Sequence, residues 1–319
     1  MSQINLTSPA QLEGSGAINA LLIDRFLGEV DETLERKSIM RAFVPTQTLI
    51  GTDTYMKKRI GGAAVAGVQP GSTPQAEKLQ FSNKSVSVDT VVLARSAVFK
   101  LEDIQNDFNT LAKIASEQGK KHAKVYDQAF FIQGVKGADA AAPNLTDWES
   151  GTSVTLDAGG DESDPDKVID HLIELVAGMK SKDVELDEMV LFLNPTLEGT
   201  LLKAKYLSRL DGAGTASVEE YRLDQIAGLR VMVTNNLPQT AGSHVLNSIN
   251  GGTDFDISAT EAKVLALVLT PDSFLSAESI GLTAKVWEDH GSISTYVDSY
   301  LAFNVTFDRP DNCGKLRSF

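Results

Sequence analysis

The sequence predicts an α+β fold, and three features of the chain predict it. One long helical stretch lies near residues 101–133, a turn-rich strand pair precedes it, and helices alternate with apolar strands between residues 165 and 269. In the long stretch, Ile104, Phe108, Leu111, Ala115, His122, Tyr126 and Ala129 recur at steps of three, four or seven. That spacing lines one face of a helix and leaves a wide wet side. Asp107 or Asn109 suits the N-cap and Gly134 suits the stop. Gly119 weakens the middle by ~1 kcal/mol relative to alanine. Acidic Glu102, Asp103 and Asp107 come before basic Lys120, Lys121 and Lys124, the order the helix dipole favours. A helix from Asn109 to Gln133 would run roughly 37 Å, against about 11–12 residues for an average helix.

A chain of 319 residues can bury a real core. Its 42% hydrophobic and 23% charged residues suit a soluble globular protein. A net charge of −14 argues against a nucleic-acid binder that neutralises phosphates with a basic patch. The polar start, MSQINLTSPAQLEGSG, is no signal peptide, and no apolar run reaches transmembrane length. Cys313 is the only cysteine, so no internal disulfide and no zinc motif is expected, and a reducing cytoplasm is the expected compartment.

Five parts follow in order. Residues 1–52 form an arm, mobile at its start, with a helix over Ala17–Arg36 in which Leu22, Phe26, Val30 and Leu34 step by four. Residues 53–92 form the extended hairpin. Tyr55–Ile60 is one strand, GGAAVAGVQPGSTP is the tip, and Lys78–Val92 returns with alternation. Such a ribbon is marginal alone in water and too poor in large apolar residues to be a core, so it should lie on a neighbour. Residues 93–150 hold the long helix and the start of a loop over Val135–Gly160. Residues 151–276 form an α/β domain. It has a helix opened by Pro165 that buries Val168, Ile169, Leu172, Ile173, Val176 and Met179, and strands at Met189–Leu193, Leu229–Thr234 and Val264–Leu269. A helix from Pro195 and an exposed polar loop over Pro238–Thr260 complete it. Residues 277–319 return as long strands, Thr283–Trp287 and Ile293–Phe307.

In that order the chain resembles the HK97-type major capsid proteins of tailed bacteriophages, and looks nearest to those of short-tailed podoviruses. Lys84–Asn109 looks like the end of the family's extended hairpin running into its spine helix. Tyr126-Asp127-Gln128-Ala129 followed by Gly134 looks like the spine-helix exit. Val190–Leu197 resembles the step into the axial domain, and Leu229–Val233 followed by Leu237-Pro238 its next strand. Ser299–Phe307 with Arg309-Pro310-Asp311 and Gly314 looks like the podoviral C-terminal strand and its ending. The resemblance implies a fold with an N-terminal arm, an extended hairpin loop, a long spine helix in a peripheral domain, and an α/β axial domain. It implies a head protein that assembles as hexamers and pentamers into an icosahedral shell around double-stranded DNA, in the virion, after assembly in the host bacterial cytoplasm. Partners implied are a portal protein, a separate scaffolding protein and, optionally, a decoration protein, with no membrane and no sequence-specific DNA contact. Contacts between copies are expected at Leu22 and Phe26 of the arm. On the hairpin they are expected at Tyr55, Lys57, Lys58, Arg59, Val65, Val68, Gln69, Lys78 and Phe81. No feature marks the lysine–asparagine cross-link of some relatives. An encapsulin-type compartment shares the implied fold and is the alternative.

No catalytic, cofactor or metal site is expected. Asp161, Glu162, Asp164 and Asp166 lack calcium-loop spacing and read as a solvated helix start. Gly14-Ser15-Gly16 fits neither a nucleophile elbow nor a phosphate loop. His122, His171, His244 and His290 are scattered, and Trp287-Glu288-Asp289-His290 reads as a strand end turning at Gly291.

Overall fold

A computed structural model describes residues 20–63, 65, 67–71, 78–99, 110–185, 188–203, 225–247, 252–289, 291 and 293–319, without the side chains of 20–25, 35, 36, 110–112, 203 and 288. The elements run α1 Ala20–Lys37, α2 Met40–Phe43, β1 Gln47–Thr48, β2 Thr54–Ile60, β3 Phe81–Ser87, β4 Val92–Phe99 and α3 Thr110–Asp139. There follow β5 Thr152–Thr155, α4 Pro165–Lys180, β6 Val190–Leu193, α5 Pro195–Lys203, β7 Gln225–Ile226, β8 Leu229–Val233 and β9 Val264–Leu269. Three strands close the chain, β10 Phe274–Asp289, β11 Ser294–Phe307 and β12 Cys313–Arg317. They fall into two compact units.

The first unit takes Met1–Asp53, Val88–Asp127 and Ala277–Asn304, as far as these are described. Its sheet runs β1-β10-β11-β4, with β11 antiparallel to β4. Phe26 and Val30 of α1 bury with Ala115 of α3, Val286 and Val297. A Cβ on Gly119 would stand 2.8 Å from Val30 O and from Thr33 Cβ, so glycine there lets α1 and α3 touch along their backbones.

The second unit takes Thr54–Ser87, Gln128–Ser276 and Val305–Phe319. Its six-stranded sheet runs β5-β12-β9-β6-β8-β7. Val168, Leu172, Leu175, Val176 and Met179 of α4 bury against Leu191, Leu193, Ala266 and Val268. The alternate side chains of the same strands meet α3, where Phe131 lies edge-on to Phe192 at 5.2 Å between ring centres. Asp164 caps α4 through a bond from Asp166 N at 3.2 Å, and Asn194 caps α5 through one from Thr196 N at 3.0 Å.

Several expectations need correction. Gly134 does not stop α3, which continues to Asp139. A Cβ at Gly134 would sit 3.0 Å from Leu269 Cδ2 and 3.1 Å from Leu267 Cδ2, so that glycine serves close packing on β9. The wet side is also lost there, since every residue from Ala129 to Val135 is buried. Residues 135–160 are no continuous loop. They hold the end of α3 and then β5, which pairs in parallel with β12. The hairpin ends at Ser87, and Val92 opens β4 in the other sheet. Strand β10 starts at Phe274, well before Thr283. Residues 238–260, where described, bury Leu246, Phe255 and Ile257 and bridge Gly242 to Ile257, so they are not simply exposed. Ile173 is 52% exposed and Leu175 takes the buried place. Asp107 and Asn109 lie outside the described residues.

Candidate assembly surface

Strands β2 and β3 pair antiparallel with Tyr55 opposite Val86, Lys57 opposite Lys84, and Arg59 opposite Ser82. Opposed residues share a face. This basic face turns toward the second unit's own residues. Lys57 Nζ lies 2.7 Å from Asp308 Oδ2, and Arg59 Nε donates to Asp308 Oδ1 at 2.8 Å. Arg59 Nη2 also reaches the Asp308 carbonyl oxygen. The Asp308 side chain is fully buried, and these two cations are its ion-pair partners. The Arg59 guanidinium stands 5.2 Å from the ring centre of Trp148, and Arg309 stands 5.1 Å from the same ring. Lys84 Nζ lies 4.6 Å from the Phe307 ring centre, and burial pushes its ammonium below the usual lysine range.

The end of the ribbon is fastened through its backbone. Trp148 Nε1 donates to Ile60 O at 3.1 Å, Gly62 N to Thr146 O at 2.8 Å, and Thr146 N to Gln80 Oε1 at 3.1 Å. Any side chain on Gly62 would run into the Asp147 carboxylate, so the approach needs glycine.

The opposite face of the ribbon carries Met56, Lys58, Ile60 and Phe81. Ile60 is 55% exposed and Phe81 68%, and beyond them Val65, Val68 and Leu79 are also exposed. Apolar side chains thus alternate with charge along one exposed ribbon face.

The expected contact residues therefore divide. Lys58, Val65, Val68, Gln69, Lys78 and Phe81 are exposed, and Tyr55 is half-buried. Phe26 and Arg59 are corrected, since Phe26 lies in the first unit's core and Arg59 is committed to Asp308. Lys57 shares that commitment. The side chain of Leu22 lies outside the described residues, as do residues 64, 66 and 72–77 of the tip. Sequence reasoning missed Met56 and Ile60, although their period-two alternation with Lys57 and Arg59 carried the signal. It also missed Trp148 and Asp308, whose partners lie far away in sequence.

In the first unit, the arm's end is held by α3. Asp127 accepts from Ser38 Oγ at 2.7 Å, Met40 N at 3.1 Å and Ile39 N at 3.2 Å. Tyr126 pairs with Thr46 at 3.0 Å and lies 4.5 Å from the Phe303 ring, and burial pushes its phenol up to about 12. A shallow depression of about 400 Å³ lies by Arg95, Lys113, Glu117, Gln118 and Lys121. Of these, Arg95 is bound to Asp298 and Glu117 to Lys120. His122 is buried on Ser299, His171 lies by Glu174 and Asp157, and His244 lies beside Phe255. His290 is outside the described residues. Among the described residues no cluster is arranged to hold a metal ion, and no helix is long and apolar enough to cross a membrane.

The family model described as phage capsid protein matches residues 84–315, most of the chain. The chain belongs to the phage capsid protein family. It has the HK97-type fold, as the solved structures show. The mature capsid of bacteriophage PhiM1 is 23% identical, with a TM-score of 0.76 over 88% of this chain and 87% of that one. The capsid of cyanophage P-SCSP1u is 14% identical, with a TM-score of 0.76 over 88% of each chain. The virus-like particle from Pyrococcus furiosus is 11% identical, with a TM-score of 0.57 over 92% of this chain and 99% of that one. No curated protein matches the sequence significantly.

Proposed function

We propose that this capsid protein is the major head protein of a tailed phage, assembling as hexamers and pentamers into an icosahedral shell around double-stranded DNA. The observation that carries the reading is the exposed apolar strip of Met56, Ile60 and Phe81 on a ribbon whose other face is already occupied. A shell sums many modest contacts of this kind, and none needs a deep pocket. Contacts with a neighbouring copy are assigned to Met56, Lys58, Ile60, Val65, Val68, Gln69, Lys78 and Phe81. The net charge of −14 suits a container that holds DNA without gripping it. The subunit is structural and catalyses no reaction. Portal, scaffolding and decoration proteins are its expected partners, and the virion is its place. The podoviral subtype rests on the Ser299–Phe307 strand and the Arg309-Pro310-Asp311 and Gly314 ending.

The encapsulin-type alternative draws on the likeness to the Pyrococcus furiosus particle, whose TM-score is lower than those of the two phage capsids. Negative-stain microscopy of the purified protein tests both readings. Closed shells that co-purify with portal and DNA after expression in the phage context support the head protein. Closed shells filled with host enzyme and free of DNA support the compartment, and an unassembled monomer contradicts both.

A further inference from the structure

The geometry points to Asp308 and Trp148 as positioning residues for assembly: they latch the hairpin to its own subunit before any neighbour arrives, and so fix which ribbon face is presented. This rests on the shell reading above. Three kinds of link converge on the same end of the ribbon. Asp308, with its side chain fully buried, bridges Lys57 and Arg59 at 2.7 and 2.8 Å. The flat guanidinium of Arg59 lies over Trp148, whose indole N–H is given to Ile60 O. Thr146 takes Gly62 N and gives its own N–H to Gln80. Arg309, beside Asp308 in sequence, sits over the same indole and is held by Asp311 at 2.7 Å.

A free two-stranded ribbon is marginal, and ordering it on contact with a neighbour would weaken that contact. A ribbon ordered within its own subunit meets that cost during folding. The latch also uses up the basic face, so the face left for a neighbour is the one with Met56, Ile60 and Phe81. Arg59 is suited to this place because it can bond a carboxylate edge-on while stacking on an aromatic ring, which an ammonium cannot do.

The test is hydrogen exchange on the unassembled wild-type subunit and on Arg59→Ala, Trp148→Leu and Arg59→Lys, with shell yield measured in parallel. Wild type should protect the amides of Thr54–Ile60 and Phe81–Ser87. Arg59→Ala and Trp148→Leu should lower that protection at least about tenfold while β6 and β9 keep theirs, and Arg59→Lys should fall between. Shell yield should fall in the same order, whereas the melting of the α/β body should not. Fast exchange throughout the wild-type ribbon in a subunit that still forms shells would overturn the latch and leave the shell reading intact. A protected ribbon in a protein that never forms shells would keep the latch and overturn the shell reading.

Discussion

Asp127 is 1% exposed and sits where the arm meets α3, accepting from one hydroxyl and two backbone amides. Asp127→Ala strands all three donors, so a cost of about 2–4 kcal/mol is expected. A melting temperature unchanged from that of an exposed-site control, Lys124→Ala, would contradict this. His122 can be assigned a proton from its neighbours. Gln118 Nε2 donates to Val297 O, so its Oε1 accepts, and Ser299 Oγ gives its single proton there at 2.6 Å. Nε2 of His122 therefore donates to Ser299 Oγ at 2.9 Å. Burial lowers the His122 pKa, which favours the neutral ring in the fold. This stability is fully present above the unfolded value of about 6.5 and is lost as pH falls through the folded value. Denaturant titrations at pH 7.5 and 5.5 should show a loss on acidification that His122→Gln reduces. An equal loss in both proteins would sink the assignment. The sequence marked His122 as a stripe residue, and it lies buried there. Its partners were not legible, because Ser299 lies 177 positions away.

At the scale of elements, pattern was legible wherever a strand or helix has one dry face. Helices α1, α4 and α5 and strands β6, β8 and β9 fall close to where apolar spacing put them. Strand β12 failed because Cys-Gly-Lys-Leu-Arg has neither alternation nor an apolar run. It is buried by position, between β5 and β9, with Lys315 paired to Asp139. The helix end failed for a related reason. Glycine can mark a stop or a close approach, and only β9 packed against Gly134 distinguishes them. That distinction is testable, since Gly134→Ala would stabilise a frayed helix end but should cost about 1–3 kcal/mol in a packed interior. Gly151→Ala should be worse, because its Cβ would stand 2.3 Å from Gly137 O, a backbone atom with little freedom to move. Chemical denaturation of the two variants should rank Gly151→Ala below Gly134→Ala, and the reverse order would contradict the packing account.

For the whole molecule, both units hold cores of their own: α1 of the arm supplies Phe26 and Val30 to the first, whereas the core between α4 and the six-stranded sheet forms a folded body without the ribbon. The ribbon's outward strip is surplus to that body, and under the proposed shell reading its exposed apolar side chains meet a second copy. Phe81→Ser together with Ile60→Ser should leave melting nearly unchanged while abolishing particles, a combination that a fold defect would not produce. The central claim is that the chain completes itself with copies of itself, and sedimentation velocity of the purified protein at high concentration tests it most directly. Megadalton particles or discrete capsomers are the predicted result, and a single 34.3 kDa species at every concentration, under conditions that favour assembly, would contradict it.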